Sequence, residues 1–294
     1  MAVTRAHDPG AHQRLVVGFD GSDSSRSALE WAASEADARG AAVRVISSYF
    51  VQPVIEFGYG ASGSGVDMTE TAVWCLNRVR TASTTVFDGH PGVEYEVDAV
   101  RQSPAAALLA EAKSADLVVV GSSGVGSLVR FLLGSVTGSL LASSPCPVVV
   151  VPAELNERTS RIVVGTDGSD HADHAVRWAA DEADRRRSEL VVVHVWKYGY
   201  HLTMNGIDRA DDFAPVDAEL ILDRAVQTAR SLSGANVRGE LIEGDEADSL
   251  LELSESADLL VLGARGRGGF RAMLFGSIAS AAATHSSCPT VIVR

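Results

Sequence analysis

The sequence predicts an α/β protein made of two tandem domains, each an open, five-stranded parallel sheet with helices on both faces. Three observations carry this. The chain repeats itself, short β-branched runs alternate with segments of helical period, and 46% hydrophobic content over 294 residues is enough for a buried core in each half.

The repeat is read directly. "LVVGFDGSDSSRSALEWAASEADARG", from Leu15, is restated by "IVVGTDGSDHADHAVRWAADEADRRR", from Ile162, placing Asp20 on Asp167 and Trp31 on Trp178 at an offset of 147. "ADLVVVGSSGVGSLVRFLLGS", from Ala115, is restated by "ADLLVLGARGRGGFRAMLFGS", from Ala257, at an offset of 142. The five residues of difference are assigned to "FGYGASGSG" at 57–65, a flexible loop by composition with "YGYHLTMNG" as its shorter counterpart. The predicted organisation is a flexible tail at 1–12, a first domain at 13–153, a polar linker at 154–160 and a second domain at 161–294.

In the first copy strands are expected near 15–19, 42–48, 93–99, 116–121 and 147–151, and in the second near 161–166, 189–195, 236–243, 258–263 and 289–293. Their apolar character suits a sheet covered on both sides. In the segment 24–38, Ala28, Leu29, Trp31, Ala32, Glu35 and Ala36 form a stripe toward the sheet, with Ser22, Asp23 and Ser24 as capping candidates. Trp31 and Trp178 are read as core.

Composition excludes several classes. A net charge of -13 opposes a nucleic-acid or anionic-membrane surface. No apolar run reaches the about 20 residues of a membrane span, and the first residues lack a signal-peptide pattern, so the expected compartment is the cytoplasm. Cys75, Cys146 and Cys288 form no CxxC pair and read as small core residues, with no metal site. The run Arg185, Arg186 and Arg187 reads as a solvated helix end.

In open parallel sheets ligands bind beyond the carboxyl ends of strands where the order reverses. There Asp20 and Asp167 end the first strands, and Gly121 and Gly263 end the fourth. In "GSSGVGS" and "GARGRGG" the glycines permit positive φ and an anion nest of backbone N–H groups. "GSVTGSLLA" and "GSIASAAAT" then open helices whose first N–H groups, with Ser135 and Ser277, offer a second anion site. No lysine accompanies these turns, which fits nucleotide binding better than fast phosphoryl transfer. Asp20 and Asp167 have two readings, a turn-fixing or capping residue and an acceptor for a ribose hydroxyl or adenine amine. His171 and His174 replace Ser24 and Ser27 of the first copy, so they are no shared site and read as a solvated face.

The spacing G-2x-G-9x-G-(S/T), present as Gly121, Gly124, Gly134-Ser135 and again as Gly263, Gly266, Gly276-Ser277, resembles the ATP-binding signature of universal stress proteins. With "VVGFDGS" and "VVGTDGS" opening the copies, the resemblance spans nearly the whole chain and identifies a tandem-domain member. It implies two Rossmann-like folds of the adenine nucleotide α-hydrolase type, strand order 3-2-1-4-5, with one ATP per domain, with or without Mg. By position, Gly18, Asp20, Gly165 and Asp167 line the nucleoside end, while Ser48 and Val195 offer backbone groups to adenine. Gly121, Ser122, Ser123, Gly124, Val125, Gly126 and Ser127 wrap ribose and phosphates in the first copy. Gly263, Ala264, Arg265, Gly266, Arg267, Gly268 and Gly269 do so in the second. Gly134, Ser135, Val136, Gly276, Ser277 and Ile278 complete the phosphate sites.

Arg265, Arg267 and Arg271 in the second copy, against Arg130 alone in the first, lead to the expectation that the second site holds a triphosphate more tightly, or with less dependence on a metal. The final strands of the copies, "VVVV" and "TVIV", are expected to pair with each other inside one chain, leaving a homodimer and an unidentified protein partner as further associations. The expected function is an ATP-binding regulatory or sensor module in stress response or growth control, with no catalytic residues assigned. The alternative is a slow ATPase or adenylate-transferring enzyme with Asp20 or Asp167 holding a metal. A dinucleotide oxidoreductase is excluded because no G-x-G-x-x-G follows the first strand.

Overall fold

The structure is a computed structural model, and it describes residues 13–49, 68–124, 133–197, 200–203, 206–209, 214–267 and 275–294. The predicted tail at 1–12 and loop at 57–65 lie outside the described residues.

The first half runs β1 (Arg14–Gly18), α1 (Asp23–Arg39), β2 (Ala42–Ser48), α2 (Met68–Phe87), β3 (Tyr95–Val100), α3 (Pro104–Glu111), β4 (Leu117–Gly121), α4 (Ser135–Ser143) and β5 (Val148–Val151). The second half runs β6 (Arg161–Gly165), α5 (Asp170–Arg186), β7 (Glu189–Trp196), β8 (Tyr200–Thr203), β9 (Gly206–Arg209), α6 (Ala214–Leu232), β10 (Val237–Glu243), α7 (Glu246–Ser254), β11 (Leu259–Gly263), α8 (Ser277–His285) and β12 (Thr290–Val293). All ten predicted strands are present. The antiparallel β8–β9 hairpin was not expected, although the Asn-Gly pair at 205–206 is a hairpin signal in the sequence.

Each half has the order 3-2-1-4-5, and all its neighbours are parallel. The halves join through β5 and β12, antiparallel, with Val149 opposite Val291, into one ten-stranded sheet. The two sets of strand carboxyl ends therefore point in opposite directions. Strand residues alternate between faces: Leu15 and Val17 enter the layer under α1, α2, α5 and α6, while Val16 enters the layer under α3, α4, α7 and α8. Both layers run unbroken across the junction, Val149 and Val291 on one face and Val148 and Ile292 on the other.

Ser22 and Ser169 cap α1 and α5, their hydroxyls accepting from the N–H groups of Ser25 and Ala172. α1 ends on Gly40 in the left-handed region (φ 62°), and α5 ends on Arg187 in the same region (φ 52°). The solvated reading of the arginine run fails for Arg186: its side chain is 21% exposed and contacts Glu35, Glu182 and Trp31 where α1 meets α5. Periodicity along one helix does not show that a second helix covers its end. Among the described residues, no helix is long and apolar enough to cross a membrane.

Candidate functional site

β1 and β4 are neighbours in register, Leu15 beside Leu117, so their ends place the Asp20 turn next to Gly121. β6 and β11 do the same for Asp167 and Gly263. These are the points where strand order reverses.

The glycines serve close approach here, and positive φ is found elsewhere. Among the described residues the glycines with positive φ are Gly21, Gly40 and Gly168, which corrects the expectation for Gly121, Gly124, Gly263 and Gly266. Gly21 (φ 81°) and Gly168 (φ 72°) follow Asp20 and Asp167 and let each chain turn back into a helix. A Cβ at Gly121 would lie 2.7 Å from the Ser24 carbonyl carbon, and one at Gly263 would lie 2.7 Å from that of His171. The starts of α1 and α5 thus press directly on the ends of β4 and β11. A Cβ at Gly18 would meet Leu108 at 2.9 Å and one at Gly165 would meet Leu262 at 2.7 Å, so these two glycines make room for packing.

Asp20 and Asp167 fasten the turns. Asp20 Oδ1 accepts from the Ser22 N–H (2.9 Å) and hydroxyl (2.6 Å). Asp167 Oδ1 accepts from the Ser169 N–H (3.0 Å), and its Oδ2 accepts from the Arg267 N–H (2.6 Å). A Cβ at Gly124 would fall 2.9 Å from Asp20 Oδ2, and one at Gly266 would fall 2.5 Å from Asp167 Oδ2. The second glycine of each motif therefore exists because a carboxylate occupies the space. Of the two readings, the turn-fixing role is the one these bonds display.

Other contacts close the loops. The Ser24 hydroxyl donates to the Ser123 carbonyl, and the Ser169 hydroxyl donates to that of Arg265 at 3.3 Å. The Ser122 and Ala264 N–H groups donate to Val151 and Val293, at 2.8 and 2.7 Å, and so belong to the sheet. The Arg267 guanidinium turns back to the Gly168 carbonyl at 3.3 Å. Val125, Gly126, Ser127, Arg130, Gly268, Gly269 and Arg271 lie outside the described residues.

Across from the Asp turns, α4 starts at Gly134 and α8 at Gly276, with no side-chain cap on either. Ser135 and Ser277 are exposed at these starts, with Val136 and Ile278 half-buried beside them. By contrast α1, α5 and α7 carry side-chain caps from Ser22, Ser169 and Asp245, while α3, which opens on Pro104, shares the lack of a side-chain cap with α4 and α8. Uncapped first-turn N–H groups are orphan donors at the positive end of a helix. Ser48, the last residue of β2, pairs with Val100, and Val195, next to last in β7, pairs with Ile242, so both lie at the carboxyl ends of their strands. Sequence reading missed His194, a buried ring whose Nδ1 lies 2.7 Å from the Thr166 carbonyl. Its counterpart in the repeat is Ser47, so the repeat itself gave no sign of it.

Comparison with known proteins gives the same frame. The profile described as the Universal stress protein family matches residues 11–152 and 159–294. The chain belongs to the universal stress protein family. A universal stress protein of Mycobacterium tuberculosis is 31% identical, over 97% of this chain and 98% of that protein. A universal stress protein of Mycolicibacterium smegmatis is 30% identical, over 95% and 96%. The crystal structure of a universal stress protein from Archaeoglobus fulgidus has the same fold, with a TM-score of 0.65 at 21% identity, covering 96% of this chain and 98% of that one. The two matched stretches coincide with the two copies of the internal repeat.

Proposed function

We propose that each half of this universal stress protein binds one ATP at the reversal of strand order, and that occupancy regulates a stress or growth response through the protein's shape. The observation that carries this is the pair of uncapped helix starts at Gly134 and Gly276, each facing a glycine turn braced by an aspartate. Orphan N–H groups and an exposed serine suit phosphate oxygens, and Mg enters, where it enters, with the phosphates it neutralises. Asp167 spends both carboxylate oxygens on backbone N–H groups, a turn-fixing use that disfavours the alternative in which it holds a catalytic metal.

The domains at 13–153 and 161–294 are the binding units in this reading, acting in the cytoplasm. A homodimer or a protein partner would use surfaces other than β5 and β12, which are paired with each other.

The test is to denature the purified protein, identify released nucleotide by mass, and repeat with Ser135→Asp, Ser277→Asp and the double variant. An aspartate at the first helical position favours the helix dipole, so the fold is kept while phosphate is repelled. About two ATP per chain, reduced to one in each single variant and none in the double, supports the reading. Calorimetry on the single variants then ranks the sites, the second expected to be tighter. A protein that neither carries nor takes up ATP overturns it.

A further inference from the structure

The internal repeat acts as its own control, because each position in one half has a counterpart in the other. In the first half Ser24 touches the Ser123 carbonyl, and Ser27 donates to the Ala153 carbonyl at 2.7 Å, beside Pro152. These residues show that the first turn of α1, the turn after β4 and the end of β5 meet at one place. At the same place in the second half, Ser24, Ser27, Ser123 and Pro152 are replaced by His171, His174, Arg265 and Arg294. Four neutral residues have become four basic ones in a chain of net charge -13.

The grouping is physical. His174 Nδ1 lies 3.0 Å from the Arg294 backbone oxygen, and His171 backs onto Gly263 just before the turn that carries Arg265. The Arg294 guanidinium also donates across the domain junction to the Ala142 carbonyl. Arg265, Arg294 and His174 are exposed, while His171 is half-buried with its Nδ1 covered and unpartnered among the described residues. Asp170, which faces His171, and Asp173, which stands where the first half has Arg26, are the acidic groups of the same turn of α5, so the added positive charge there comes chiefly from Arg265 and Arg294. Cations gathered at the first turn of a helix oppose its dipole, an arrangement that an anion would relieve. Burial, then Arg265, His174 and Arg294, hold His171 below its ordinary value, against Asp170.

We infer that His171, His174, Arg265 and Arg294 form an oxyanion site for a phosphate group at the first turn of α5, present in the second half only, with Arg265 supplied by the turn that also borders the start of α8. Guanidinium forks match the paired oxygens of phosphate, and imidazolium adds charge as pH falls. Bound anion would offset the burial and neighbouring cations that hold His171 below its ordinary value, so binding takes up protons there and strengthens as pH falls below the ordinary histidine range. The source of the group is either a free phosphate or the phosphates of a nucleotide reaching over from the crevice.

The probe is pyrophosphate added to the full chain, followed by NMR titration of the histidine ring signals, assigned with His171→Ser and His174→Ser. The expected result is an upward move of the His171 midpoint, with binding about tenfold weaker in a His174→Ser, Arg294→Gln double variant and unchanged in Ser277→Asp. If Ser277→Asp abolishes the response and the double variant does not, the anion lies in the crevice and the site at α5 is overturned. Histidine midpoints that ignore millimolar pyrophosphate overturn it as well. ATP retention by the double variant is read in parallel, so failure of the nucleotide reading is seen independently.

Discussion

Arg39 of α1 donates to Glu182 of α5 at 2.6 Å, and its repeat counterpart Arg186 bonds Glu35, the counterpart of Glu182. Each arginine also bonds the glutamate of its own helix and lies over the tryptophan of the other, Arg39 at 5.7 Å from the Trp178 ring and Arg186 at 5.4 Å from Trp31. The contact is thus two-fold within one chain, as in a symmetric dimer. Arg185 adds a third guanidinium to Glu182 at 2.8 Å.

Removing one charge from this group leaves the others buried without compensation. Glu182 is 1% exposed and Arg39 is 5% exposed, so Glu182→Gln is expected to destabilise by about 3 kcal/mol, while an apolar replacement of the whole set costs much less. Denaturant titration of Glu182→Gln, Arg39→Met and the double variant measures the coupling. A coupling near zero would show the network to be energetically idle.

The same network sets an acid limb. Burial raises the Glu182 carboxyl, but Arg186 and Arg39 outweigh it and hold the group at about 2, so its stabilisation is complete above 4.5 and is lost as pH falls from there to about 2. Burial, opposed by Arg186 and reinforced by the Glu182 carboxylate, pushes Glu35 up. Glu35 therefore takes its proton first, and that step adds stability on acidification. Unfolding midpoints measured across this range should fall below pH 4.5 in the native chain and lose that slope in Glu182→Gln.

The motif glycines Gly121, Gly263 and Gly124 should rank by what their missing Cβ would strike. Gly121→Ala and Gly263→Ala drive a methyl into helix backbone at 2.7 Å and should cost about 3 kcal/mol, displacing α1 or α5. Gly124→Ala meets one carboxylate oxygen at 2.9 Å and should cost about 1 kcal/mol. Thermal unfolding of the single variants tests the order. Equal effects would return these glycines to a purely ligand-facing role.

The helix ends of the repeat predict opposite signs. Gly40→Ala places a Cβ in the left-handed region at φ 62° and should destabilise by about 1 kcal/mol. Arg187→Gly relieves the same strain at φ 52°, offset in part by unfolded-chain entropy, and should be neutral or stabilising by less than about 1 kcal/mol. Denaturant midpoints of the two variants decide it.

The sequence by itself determined the repeat, the ten strands and the points where strand order reverses, because β-branched runs and helical period report local burial along the chain. Tertiary structure alone decided that the expected pairing of β5 with β12 is antiparallel with Val149 opposite Val291, that Arg186 is enclosed and that Gly121 yields to a helix. It also decided that His171, His174, Arg265 and Arg294 share one corner. Those outcomes depend on which surfaces meet across separations such as the 143 residues between Arg39 and Glu182. A pattern read along one segment shows that a face is buried, and only packing selects what buries it.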